Sequence, residues 1–180
     1  GYYNVMNFDI NTTAGTQAEP RLVKKSAVSD GKVIIRFSGK LASDGGNSYT
    51  TIGMDHTVGV AALPTDQLVL MKMFKDYITN ADGDRYTVST EGWHDYTVIA
   101  DLDNWTTQTY VDNQFAFETT IKRSKTEGAD TFTLYVRFSV PAEHTGSFCI
   151  DNFLFGKTMT GKEVETVLKD ASATEITAIK

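Results

Sequence analysis

The segment from Trp93 to Phe117, WHDYTVIADLDNWTTQTYVDNQFAF, alternates with a period of two. Tyr96, Val98, Ala100 and Leu102 fall on one face, and Thr97, Ile99 and Asp101 on the other. Side chains of an extended chain point alternately to opposite sides, so this spacing predicts a strand with one face buried. The turn Asp103-Asn104-Trp105-Thr106-Thr107 then carries a large aromatic where short polar residues are usual. The return strand closes on Val111-Asp112-Asn113, a second turn signal.

The same pattern recurs along the chain. Strands are predicted at 2–10, 21–26, 32–41, 48–54, 59–62, 67–78, 85–89, 131–140 and 146–155, besides the central hairpin. Clusters of Gly, Asn, Asp and Ser separate nearly all of them, because these residues accept left-handed or side-chain-bonded turns. Three prolines leave the strands free to pair. Many short strands with few helix signals predict an all-β fold, a two-sheet antiparallel β-sandwich of the jelly-roll kind. A length of 180 residues favours the jelly roll over a seven-stranded immunoglobulin-type domain of ~100 residues. The sandwich is expected to span 1–156. Residues 157–180 read as a helical tail or linker: Thr160 and Glu163 fit a capping box, and Val164, Val167 and Leu168 follow at helical spacing over 161–171.

Composition narrows the partners. The net charge of -6, without large Lys/Arg clusters, argues against nucleic acid or an anionic membrane surface. No apolar run approaches the roughly 20 residues of a membrane span. The single cysteine, Cys149, excludes an internal disulfide and reads as a packed thiol. The chain begins at Gly1 inside a predicted strand, so a processed piece of a longer protein is expected, with any targeting segment upstream.

Face assignment nominates a binding surface. In 32–41, Val33, Ile35, Phe37 and Leu41 form a core face, leaving Ile34, Arg36, Ser38 and Lys40 opposite. In 131–140, Phe132, Leu134, Val136, Phe138 and Val140 form an apolar row, leaving Thr133, Tyr135, Arg137 and Ser139 opposite. Sugars need planar rings against their C–H faces and forked donors for vicinal hydroxyls. Arg36, Tyr135 and Arg137 supply these groups, and an ordinary polar sheet face with arginine stems lying on apolar surface would read the same way. Trp105 at the turn tip and Tyr110 on the return strand join the candidates, with Trp105 either meeting a ligand or folding back on the sandwich edge. Tyr49, Phe74, Tyr77 and Tyr86 are further rim aromatics, while Trp93 reads as structural.

Catalytic motifs are sparse. A retaining glycosidase needs two carboxylates about 5–5.5 Å apart. The Glu-x-Asp-x-x-Glu pattern of sandwich glucanases is absent, and Asp101 and Asp103 sit where turns favour Asp. There is no Gly-x-Ser-x-Gly and no His-Glu-x-x-His. His56, His94 and His144 are unclustered. The expectation is therefore no enzyme. A hard cation such as Ca²⁺ is expected if the terminal strands pair and bring Asp9 to Asp151, whereas Asp82-Gly83-Asp84 reads as plain turn chemistry.

Taken in order, Gly31-Lys32-Val33-Ile34-Ile35-Arg36-Phe37, then Gly92-Trp93-His94-Asp95-Tyr96 through Tyr110-Val111-Asp112-Asn113, then Gly146-Ser147-Phe148-Cys149-Ile150-Asp151-Asn152-Phe153, the chain resembles the concanavalin A-like lectin/glucanase sandwiches, laminin-G-like in style. The likeness covers residues 2–156, with Asn113 where Gly is usual. It implies a jelly roll, glycan binding, structural calcium and an extracellular or cell-surface setting in a larger secreted bacterial protein. On this basis the chain is expected to be a non-catalytic carbohydrate-binding module that recognises a plant or microbial polysaccharide. The alternatives are a structural or adhesion module, and a polysaccharide lyase or glycoside hydrolase.

Overall fold

Alternating hydrophobicity sorts the strands into two six-stranded antiparallel sheets. The structure, a computed structural model, describes residues 5–44, 47–56, 67–121 and 132–158. The first sheet runs in the order β1 (Met6–Asn11), β12 (Thr145–Thr158), β3 (Lys32–Ser43), β8 (His94–Asp101), β9 (Thr106–Val111), β10 (Gln114–Thr120). The second runs β2 (Arg21–Val28), β11 (Phe132–Ser139), β4 (Tyr49–His56), β5 (Gln67–Met73), β6 (Tyr77–Thr79), β7 (Arg85–Thr87). The described residues form the two-sheet β-sandwich that the sequence predicts.

The predicted core faces meet between the sheets. Val33, Ile35, Phe37 and Leu41 of β3 and Tyr96, Val98 and Ala100 of β8 are buried from one side. Ile52 and Met54 of β4 and Phe132, Leu134, Val136 and Phe138 of β11 are buried from the other. Each Val, Ile, Leu, Met or Phe side chain among them contributes on the order of 1.5–3 kcal/mol through its removal from water. The Phe37 and Tyr96 rings stack at 5.2 Å within this core.

Local chemistry sets the hairpins. Asp112 and Asn113 join β9 to β10 with φ of 49° and 64°. Two left-handed central residues define the turn whose twist matches paired strands, and Asn tolerates that conformation in place of Gly. At the other end of β9, Asp101 Oδ1 accepts the backbone N–H groups of Asp103 and Asn104 at 3.1 and 2.9 Å. Asp101 therefore folds the turn. In the same way Asn80 Oδ1 accepts the N–H groups of Asp82 and Asp84, so the Asp82-Gly83-Asp84 stretch is a side-chain-bonded turn.

One strand is corrected. Residues 67–78, predicted as continuous, are two strands: β5 ends at Met73 and β6 begins at Tyr77, with Phe74 N–H donating to the Tyr77 carbonyl at 2.9 Å. Lys75 and Asp76 form the tip. The apolar run concealed the reversal because Phe74 and Tyr77 flank it on both sides. The strand predicted at 59–62 and the helix at 161–171 lie outside the described residues.

Candidate functional site

The strand register of the second sheet aligns its outward side chains in rows. Arg137 of β11 pairs with Thr51 of β4, Thr51 with Lys72 of β5, Lys72 with Thr79 of β6, and Thr79 with Arg85 of β7. The row thus reads Arg–Thr–Lys–Thr–Arg across five strands. Beside it Ser139 pairs with Tyr49, and Phe74 follows next to Tyr77, which pairs with Thr87. This second row is aromatic at its centre.

The aromatic row is a continuous stack. Tyr49 and Phe74 lie 5.4 Å apart at 30°, and Phe74 and Tyr77 lie 4.8 Å apart at 19°. Cations from the neighbouring row rest on its two ends. Lys72 Nζ lies 5.4 Å from the Tyr49 centroid, and the Arg85 guanidinium carbon lies 4.3 Å from the Tyr77 centroid. At the far side of the sheet, Arg137 Nη1 lies 3.9 Å from Glu19 Oε2, whose other oxygen accepts the Ser139 hydroxyl at 3.1 Å.

A third row holds Tyr135 opposite Gly53. The Tyr135 ring lies over Gly53 so closely that a β-carbon there would meet ring atoms at 2.5–2.6 Å. Gly53 is what admits the ring, and Tyr135 is fully buried.

The sequence-nominated binding residues divide among three places. Tyr135 and Arg137 share the outer face of the second sheet. Arg36 and Tyr110 lie on the outer face of the first, across the sandwich, where Arg36 and Tyr110 both pair with Thr97. Arg36 Nη2 lies 3.7 Å from Asp95 Oδ2, and Asp95 Oδ1 accepts the Ser38 hydroxyl at 2.6 Å. Tyr110 meets the exposed Phe115 ring edge-on at 5.6 Å. Trp105, half-buried with φ of 55°, sets its ring edge-on to Phe132 at 5.7 Å against the core. The five residues are not one site. Parity places a side chain on a face of its strand but does not say which sheet the strand joins, and β3 and β11 join different ones.

Asp9 and Asp151 do not come together. The terminal strands do pair, as expected, but Asp9 stands opposite Ser147, four residues along β12 from Asp151. That offset is roughly 13 Å at strand rise. Asp9 lines an open cleft of about 410 Å³ with Ser43, Asp44 and Thr145. Asp44 accepts the Thr145 N–H and hydroxyl at 2.9 and 2.8 Å, and these donors hold its carboxyl below the ordinary value, with His144 adding to the effect. Among the described residues, no three His, Cys, Asp or Glu side chains gather as metal ligands. Burial raises the Cys149 thiol above its ordinary pKa, as suits a packed cysteine.

Residues that the sequence reading missed are Thr51, Lys72, Thr79 and Arg85. Their signal was present but weak: β6 and β7 have three residues each, too few to show alternation on their own.

No family model and no curated protein matches the chain. Solved structures do match in fold. A family 7 alginate lyase, A1-II′, aligns at a TM-score of 0.62 and 10% identity, covering 86% of this chain and 80% of that one. A Bacteroides ovatus mixed-linkage glucan enzyme of glycoside hydrolase family 16 aligns at 0.57 and 15%, covering 83% and 81%. A sialidase aligns at 0.56 and 9% over 95% of this chain but 18% of its own length. Among the described residues no helix is long and apolar enough to cross a membrane.

These neighbours correct the expectation that the chain is no enzyme. That expectation rested on a missing carboxylate motif. The fold found here is used by glycoside hydrolases and by lyases alike, and elimination needs no paired carboxylates, so the missing motif speaks against one catalytic arrangement only. The chain has the concanavalin A-like jelly-roll fold found in family 16 glycoside hydrolases and family 7 polysaccharide lyases.

Proposed function

We propose that this domain degrades a polysaccharide, as a polysaccharide lyase or a glycoside hydrolase, with the glycan lying on the outer face of the second sheet. The observation that carries the reading is the pair of adjacent rows there: the aromatic Tyr49–Phe74–Tyr77 stack beside the Arg137–Thr51–Lys72–Thr79–Arg85 row. A glycan offers both apolar C–H surface and outward oxygens, and a face able to hold it needs both kinds of partner side by side. The shared fold of the alginate lyase and the mixed-linkage glucan enzyme supports a glycan as substrate. The sialidase match, over a small part of that chain, supports a place within a larger protein, and a bacterial extracellular or cell-surface setting belongs to the same reading.

The test is incubation of the folded domain with a panel of plant, algal and microbial polysaccharides. Hydrolysis releases reducing ends alone. Elimination releases reducing ends together with the ultraviolet absorbance of an unsaturated sugar end. A folded protein that yields neither product from any polysaccharide sinks the proposal.

A further inference from the structure

The central row of that face is periodic in charge. Arg137, Lys72 and Arg85 stand on β11, β5 and β7, and the uncharged Thr51 and Thr79 stand on β4 and β6 between them. Neighbouring strands lie about 4.8 Å apart, so the cations recur roughly every 9.6 Å along a line perpendicular to the strands. Such a row runs against the composition of a chain whose net charge is -6.

Among the described residues the three cations are held but little neutralised. Among the described residues neither Lys72 nor Arg85 has an ion-pair partner. Glu19 is the carboxylate that reaches Arg137, at a long 3.9 Å, and Arg137 Nε has no hydrogen-bond partner among the described residues. Tyr49 and Tyr77 lie beneath Lys72 and Arg85 respectively. The ring beneath each cation holds that cation in place.

We infer that the glycan is acidic and crosses the strands, presenting one carboxylate or sulfate per disaccharide to Arg137, Lys72 and Arg85. This rests on the reading of the second sheet's outer face as the glycan surface. The spacing of every second strand is comparable to the length of a disaccharide, so alternate sugars face a cation and the sugars between pass over the buried Thr51 and Thr79. A forked guanidinium at each end suits a carboxylate or sulfate, and the Lys72 ammonium supplies a compact charge at the centre.

The experiment is affinity electrophoresis of the full chain in polygalacturonate, hyaluronan and dextran sulfate, each beside its uncharged counterpart: carboxyl-reduced polygalacturonate, carboxyl-reduced hyaluronan and dextran. Retardation is expected in at least one acidic glycan and not in its counterpart. The double variant Lys72→Met/Arg85→Met should weaken it about ten-fold or more, and Lys72→Arg/Arg85→Lys should retain most of it. Retardation in the uronates assigns a carboxylate ligand, and retardation in dextran sulfate alone assigns a sulfate. Equal retardation in acidic and uncharged glycans, or full affinity in the Met variant, overturns the inference. Retardation confined to uncharged glycans overturns it while leaving the glycan face standing. A protein that neither binds nor degrades any glycan removes both.

Discussion

The Arg85 guanidinium carbon lies 4.3 Å from the centroid of the Tyr77 ring, and Tyr77 stacks in turn on Phe74 at 4.8 Å. Arg85 is exposed, so without the ring it would sample many rotamers. A cation over an aromatic face at an exposed site gains about 0.5–1 kcal/mol, which is a factor of about 2–5 in population. Tyr77→Phe keeps the face and should keep glycan affinity. Tyr77→Leu should lower it about two- to five-fold by electrophoretic retardation. Full affinity in the Leu variant would mean that the ring does not position Arg85.

Gly53 and Tyr135 form a second such pair, steric instead of electrostatic. A β-carbon at Gly53 would sit 2.5 Å from Tyr135 Cζ, and the ring is fully buried with no solvent to swing into. Gly53→Ala should cost about 1–3 kcal/mol, read from the urea midpoint. Gly53→Ala/Tyr135→Leu should lose less than the sum of the two single changes, because the smaller side chain removes the clash. Strict additivity would show that the ring moves away at little cost.

Trp105 illustrates how a sequence signal divides into two readings. A tryptophan in a polar turn invites a ligand, yet its ring packs edge-on to Phe132 and its carbonyl accepts the Ile121 N–H at 2.6 Å. Trp105→Ala should destabilise the fold by about 1–3 kcal/mol, since part of a large apolar contact is lost. Glycan affinity should stay within about two-fold of the wild type, a change of ~0.4 kcal/mol or less. The reverse pattern, with stability kept and affinity lost, would place Trp105 at the glycan.

Alternation made the core legible. Val33, Ile35 and Phe37 on one strand and Phe132, Leu134 and Val136 on another were assigned to buried faces from spacing alone, because a period of two has one physical solution in a half-buried strand. The outward faces were legible one strand at a time. Arg36 and Arg137 looked equivalent by parity, and pairing separates them: β3 lies between β12 and β8, and β11 between β2 and β4. Those pairings join residues far apart in sequence, such as Arg137 with Thr51, and no local pattern encodes them. The Arg–Thr–Lys–Thr–Arg row is a property of register across five strands, visible only once the sheet is assembled.

Asp101 links the turn of the central hairpin to acid stability. Burial alone would raise its carboxyl pKa. The Asn104 side chain at 3.0 Å, the N–H groups of Asn104 and Asp103, and Lys32 at 3.7 Å outweigh burial and hold it below the ordinary value. A carboxyl that is more acidic folded than unfolded binds fewer protons in the native state. Its stabilisation is therefore fully present above the unfolded pKa of about 3.9 and is lost as pH falls through the lower folded value. Asp101→Asn keeps an acceptor for the turn but removes the charge, so near neutral pH it should cost about 1–2 kcal/mol. Urea midpoints measured from neutral pH down to about pH 2 should converge at the acid end, where Asp101 is protonated and the wild type has lost the same interaction. Curves that stay parallel across that range would remove Asp101 from the acid limb and leave its contribution to the hairpin purely geometric.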